Sequence, residues 1–122
     1  MSRDLEIAVI DDDQSFRMAL VESLSSLGYG ADGYASVEDY IGSTGGKSFD
    51  CVVTDIHMPG MSGLDLMKRL AAGGSTTPVV LITARSDTHL EAKAAAAGAA
   101  WLLRKPFEIN ELIECIEGAV KG

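Results

Sequence analysis

The chain has 122 residues, 47% of them hydrophobic and 23% charged, which is the size and composition of one globular domain that can bury a core without disulfides or a structural metal. Its formal charge of −8 argues against nucleic acid or an anionic membrane as a direct partner, because docking on phosphates takes clustered Lys and Arg. The start, MSRDLEIAVIDDD, has no long apolar stretch behind its basic residue, and no run approaches the roughly 20 apolar residues of a membrane span, so a cytoplasmic location is expected.

Leu5 to Ile10 (LEIAVI) is a short apolar run ending in three aspartates, the pattern of a buried strand meeting a polar edge. Phe16, Leu20, Leu24 and Leu27 follow at helical spacing, with Gly28 placed as a stop. Ala31 to Tyr34 reads as a second strand, and Ser36-Val-Glu-Asp39 as a capping box opening a short helix. Gly42 to Ser48 is a connection, after which Phe49 to Thr54 climbs through Cys51, Val52 and Val53 into Asp55. Met58 to Gly63 is a turn; Leu64, Leu66, Met67 and Leu70 mark a third helix that ends at Gly73-Gly74. Pro78 leads into a strand, Val79 to Ile82, that ends at Thr83. Asp87 to Ala97 is an Ala-rich helix closed by Gly98, Ala100 to Leu103 a fifth strand, and Ile109, Leu112, Ile113 and Ile116 face the last helix inward. Cys51 and Cys115 are expected to be buried, reduced thiols rather than a disulfide.

Five β-α repeats with strands apolar on both faces predict an α/β fold: one doubly wound parallel sheet covered by helices on either side, with residues 1–122 as a single domain. Ligands of such sheets bind outside the carboxyl ends of the strands. Asp11, Asp12 and Asp13 follow the first strand, Asp55 the third, Thr83 the fourth and Lys105 the fifth, so all converge on that edge. Carboxylates, a hydroxyl and an ammonium make a hard, oxygen-rich pocket suited to Mg2+ or Mn2+. Two carboxylates about 4 Å apart repel by roughly 4 kcal/mol at an effective dielectric near 20, so the pocket attracts cations.

Val9-Ile-Asp-Asp-Asp13, Thr54-Asp-Ile-His-Met-Pro-Gly-Met-Ser-Gly63, Leu81-Ile-Thr-Ala84, Ala97-Gly-Ala99 and Arg104-Lys-Pro-Phe107 stand in register from Ile7 to about Val120. Together they resemble the receiver domain of two-component response regulators, of the type often joined to a helix-turn-helix DNA-binding domain. The resemblance implies a flavodoxin-like sheet of order 2-1-3-4-5 flanked by five helices. It implies that Asp55 accepts a phosphoryl group from a sensor histidine kinase or a histidine phosphotransfer protein, as a switch in transcription regulation and not as a turnover enzyme. Asp12, Asp55 and the backbone carbonyl of His57 would hold the metal, and Asp11 would reach it through water. Lys105 would pair with a phosphoryl oxygen. Thr83 would turn its hydroxyl to the phosphoryl group and reshape the surface of the fourth helix, fifth strand and fifth helix. A phosphorylation-dependent homodimer is among the partners the resemblance implies.

His57, Ala84 and Arg85 occupy positions beside the pocket that in this family modulate the lifetime of the phosphorylated form. Lys105-Pro106 is expected to be cis. Leu102 departs from the family, which commonly has Tyr or Phe there; Trp101, pointing to the other face, cannot replace that ring and is expected to be a partly buried packing residue. One of Asp12 and Asp13 is expected to cap the first helix. His57 and His89 are expected to be partly exposed.

Two other readings compete. A receiver-like module could hold a partner without phosphorylation, but the intact Asp55, Thr83 and Lys105 argue against it. A Mg-dependent phosphatase with an aspartyl intermediate would need a second acid two residues past the nucleophile, where His57 stands. No glycine-rich phosphate loop follows the first strand.

Overall fold

The computed structural model describes residues 5–43, 48–84 and 88–121. Five strands alternate with five helices: β1 (Glu6–Ile10), α1 (Gln14–Ser26), β2 (Gly30–Tyr34), α2 (Val37–Ser43), β3 (Cys51–Asp55), α3 (Gly63–Ala72), β4 (Val79–Thr83), α4 (Thr88–Ala96), β5 (Trp101–Arg104) and α5 (Ile109–Lys121). All strand pairs are parallel and the order is β2-β1-β3-β4-β5, as the resemblance implied. Strand ends differ from the expected ones by a residue or two: β3 begins at Cys51 and not Phe49, and β5 runs to Arg104. Asp87, expected to open α4, and the centre of the Gly42–Ser48 connection lie outside the described residues.

The interior strands β1, β3 and β4 are buried almost throughout, because both faces are covered and each apolar side chain removed from water contributes about 1.5–3 kcal/mol. Side chains alternate faces along a strand. Ala8, Ile10, Val52, Val79 and Leu81 therefore pack toward Tyr40, Leu66 and Leu90 of α2, α3 and α4. Ile7, Val9, Cys51, Val53, Val80 and Ile82 pack toward Leu20 and Leu24 of α1 and Leu112 and Ile116 of α5.

Local signals set the helix ends. The Asp13 carboxylate caps α1 by accepting from the Phe16 N–H at 3.1 Å; Asp13 and not Asp12 is thus the cap. Ser36 Oγ accepts from the Asp39 N–H ahead of α2. Ser62 and Asp65 form a reciprocal capping box at the start of α3. Gly28 and Gly98 stop α1 and α4 at φ of 97° and 89°, a region in which a Cβ is strained. The Lys105-Pro106 bond is cis. Trp101 corrects its expectation: it is 47% exposed, lying against the backbone of Gly118 on α5.

Candidate functional site

Three strand ends meet where β1, β3 and β5 release their chains. Asp11 directly follows β1, Asp55 closes β3 and Lys105 directly follows β5. Counting in twos from Ile7, Cys51 and Trp101 puts all three on the face covered by α1 and α5. The ladder aligns them, pairing Ile10 with Thr54, Asp55 with Ile82 and Thr83 with Arg104.

Lys105 Nζ donates to Asp11 Oδ2 at 3.1 Å and to Asp55 Oδ2 at 3.0 Å. The other oxygen of each acid is taken by the chain just beyond it: Asp11 Oδ1 accepts from the Asp13 N–H and Asp55 Oδ1 from the His57 N–H, both at 2.9 Å. Each acid thus closes a turn with a backbone donor two residues on, which fixes the carboxylate plane. Arg17 Nη1 donates to the Asp11 carbonyl at 2.8 Å and pins the β1–α1 turn from α1.

Two buried acids share one ammonium, so the cluster carries excess negative charge. Burial raises the Asp11 carboxyl above its ordinary 3.8, and Asp55 adds repulsion; the Asp13 N–H and Lys105 pull the other way. For Lys105, burial acts to lower the value, but hydrogen bonds and charge from Asp55 and Asp11 outweigh it and hold the ammonium above its ordinary range. This donor set fits a hard dication: two carboxylates side by side and a surplus of negative charge. Among the described residues, no three His, Cys, Asp or Glu side chains are gathered as a metal cage.

The remaining predicted residues fall around this centre. Asp12 is exposed beside the pair. Thr83 is fully buried and accepts the Lys105 N–H on its carbonyl at 2.8 Å. It shares the α3/α4 side of the sheet with Leu81, and Leu102, half-buried, packs against that same core. Ala84 is exposed, and Arg85 lies outside the described residues. His57 is half-buried, and its Nε2 is buried with no hydrogen-bond partner among the described residues; His89 is exposed. A cavity of about 430 Å³ beside Pro78, Val79, Gly98 and Ala119 opens at the amino ends of the strands and contains none of the site acids.

Sequence reasoning missed three supporting groups. Phe16 lies over the Lys105 ammonium, 4.0 Å from Nζ to the ring centroid, yet its spacing marks it only as a core residue. Arg17, on α1, gains its role only from the fold that brings it to the Asp11 carbonyl. Glu38, on α2, accepts from the Met61 N–H at 3.1 Å and braces the β3–α3 turn.

An open parallel α/β sheet of order 2-1-3-4-5, with an acid pair and a lysine at its carboxyl edge, places the chain in the flavodoxin-like fold class. The comparisons narrow the class. Residues 7–117 match the family described as the response regulator receiver domain, and the chain belongs to it. It is 38% identical over 115 residues to the transcriptional regulatory protein FixJ of Bradyrhizobium diazoefficiens, covering 94% of this chain and 56% of that protein. To the DNA-binding transcriptional regulator NtrC of Salmonella typhimurium it is 34% identical over 112 residues, covering 92% and 24%. The crystal structure of the FixJ N-terminal piece superposes with a TM-score of 0.89 at 30% identity, covering 97% of this chain and 94% of that one. This chain spans about half the length of the FixJ relatives. It is therefore a receiver domain of a two-component response regulator. Receiver domains are signalling modules rather than turnover enzymes, and the family generally uses Mg2+ in phosphorylation.

Proposed function

We propose that residues 1–122 form one phospho-accepting receiver unit in which Asp55 takes the phosphoryl group. The observation that supports this most is the convergence of Asp55 and Asp11 on Lys105 at the carboxyl edge of the sheet. An Asp55 carboxylate oxygen bonds to phosphorus as the P–N bond of a donor phosphohistidine breaks, and the imidazole keeps the electron pair and takes up a proton. The transition state is loose, so the protein's task is positioning and charge stabilisation. Lys105 moves its hydrogen bond from Asp55 Oδ2 to a phosphoryl oxygen. The His57 N–H keeps the carboxylate oriented. Asp12, Asp55 and the His57 carbonyl would hold Mg2+ or Mn2+, with Asp11 supporting it through water, and the bound cation would supply positive charge against the carboxylate and phosphoryl group.

Thr83 carries the event outward by turning its hydroxyl to the phosphoryl group, which draws in the following loop and alters the α4/β5/α5 surface. With Leu102 aliphatic, that coupling runs without an aromatic partner. His57, Ala84 and Arg85 border the path of water to the acyl phosphate and set its lifetime. The partner is a sensor histidine kinase or a histidine phosphotransfer protein, the switched surface supports a homodimer, and the unit serves transcription regulation in a longer protein. Among the described residues no helix is long and apolar enough to cross a membrane. The reading places the unit in the cytoplasm, and its net charge of −8 disfavours contact with nucleic acid or an anionic membrane.

Incubation with Mg2+ and acetyl phosphate, followed by intact-mass measurement, tests the assignment. Wild type gains one phosphoryl group and Asp55→Asn gains none. Equal labelling of both, or labelling of neither, overturns it.

A further inference from the structure

Lys105 is held by more than its two acids. Its Nζ lies 4.0 Å from the centroid of the Phe16 ring, within the range in which an ammonium is attracted by the negative face of an aromatic ring. Phe16 is itself fixed twice. Its backbone N–H is bound by the Asp13 cap at the start of α1. Its ring meets Phe107 edge to face, centroids 6.0 Å apart at 89°, a preferred aromatic geometry. Two of the three ammonium donors point to Asp11 and Asp55; the ring supports the cation from a further side.

We propose that Phe16 is a positioning residue for Lys105, holding its ammonium over the acid pair through the ring face. The inference rests on the phospho-acceptor reading of Asp55, and its physical basis is a difference between the supports. The attraction of Asp55 for Lys105 changes when that carboxylate becomes an acyl phosphate, whereas the attraction of the Phe16 ring does not. A four-carbon lysine stem is otherwise free to swing toward solvent as its carboxylate partner is consumed. The ring keeps the cation in place while its hydrogen bond passes from Asp55 to a phosphoryl oxygen. An aliphatic residue at 16 would fill the same space without attracting the charge.

The test compares Phe16→Leu, Phe16→Met and Phe16→Tyr with wild type. One readout is the rate of phosphoryl labelling by acetyl phosphate at saturating Mg2+. The second is the NMR shift of the Lys105 ε-methylene protons without phosphodonor. The aliphatic variants are expected to label about three- to tenfold more slowly, and Tyr within about twofold of wild type. With Nζ 4.0 Å from the ring centroid, the ε-methylene protons next to it are expected to feel the ring's shielding, to move downfield in the Leu and Met variants and to stay in place with Tyr. Labelling of Leu and Met variants at the wild-type rate, or methylene shifts unchanged by the loss of the ring, overturns the proposal. If one aliphatic variant fails to fold, the other decides. Wild type that takes no phosphoryl group sinks the Asp55 reading instead, and the methylene shifts still report whether the ring holds Lys105.

Discussion

Asp55 and Lys105 stand 50 residues apart in the chain, and Oδ2 of the first accepts a 3.0 Å hydrogen bond from Nζ of the second. The same ammonium bridges to Asp11, 94 residues away. One cation thus ties the ends of β1, β3 and β5 together, and its removal has structural as well as chemical consequences.

Lys105→Met leaves two neighbouring carboxylates without their shared counter-charge. The Lys105 side chain is 20% exposed, so the loss is smaller than for a fully buried pair. A destabilisation of about 1–3 kcal/mol is expected at pH 7 in divalent-free buffer, measured by urea unfolding. The pH dependence has a definite sign. A lysine raised in the folded state contributes stability that is fully present below its ordinary 10.5 and is lost as pH rises through the folded value. The gap between wild type and variant should close at strongly basic pH; a constant gap would count against the ion-pair account.

Asp11→Asn should act in the opposite direction. Burial chiefly raises the Asp11 carboxyl above 3.8, so the folded protein holds that proton more tightly than the unfolded chain. Stability is then fully present below 3.8 and is lost as pH rises through the folded value. At neutral pH the ionised Asp11 is a cost, and the amide relieves it. A gain of about 1 kcal/mol, or about 4 °C in midpoint, is expected in divalent-free buffer. A lower midpoint for the variant would refute this.

Gly63→Ala tests how tightly α3 abuts the site. A Cβ at Gly63 would stand 2.7 Å from the Asp55 carbonyl oxygen and 3.1 Å from Leu81 Cδ2. Neither the end of a buried strand nor the first turn of α3 can yield freely, so about 1–3 kcal/mol of stability should be lost. Because the displaced atom belongs to Asp55, labelling by acetyl phosphate should slow as well. Wild-type stability with an undisturbed labelling rate would show that the contact is slack.

The thiols should be inert. Burial pushes Cys51 up to about 12, with smaller contributions from Asp50 and Cys115, and Cys115 is raised mainly by its own burial. At pH 8 the thiolate fraction of Cys51 is about one in ten thousand. Iodoacetamide should leave Cys51 unmodified in the native protein and alkylate both cysteines in guanidinium chloride. Rapid native alkylation of Cys51 would show that β3 opens readily.

Much of this was legible from residue order. Runs such as LEIAVI and CVVTD read as strands because both faces of a parallel sheet are buried. The stops at Gly28 and Gly98 were legible because only glycine enters the left-handed region at no cost, and the Asp13 cap was one of two acids named. Strand ends drifted because the hydrogen-bonded ladder, and not side-chain character, sets where pairing stops: Phe49 is apolar and buried yet lies outside β3. Trp101 was misread as partly buried because an edge strand covers one face less completely than its hydrophobicity suggests.

By itself the sequence determined the βα alternation and the set of polar residues at the carboxyl edge. Only the tertiary structure decided that Lys105 bridges both acids, that Phe16 lies over its ammonium and that Arg17 and Glu38 brace the adjoining turns. Periodicity says which way a side chain points within its own element. Distances between elements depend on sheet register, twist and helix packing, which the whole chain settles together.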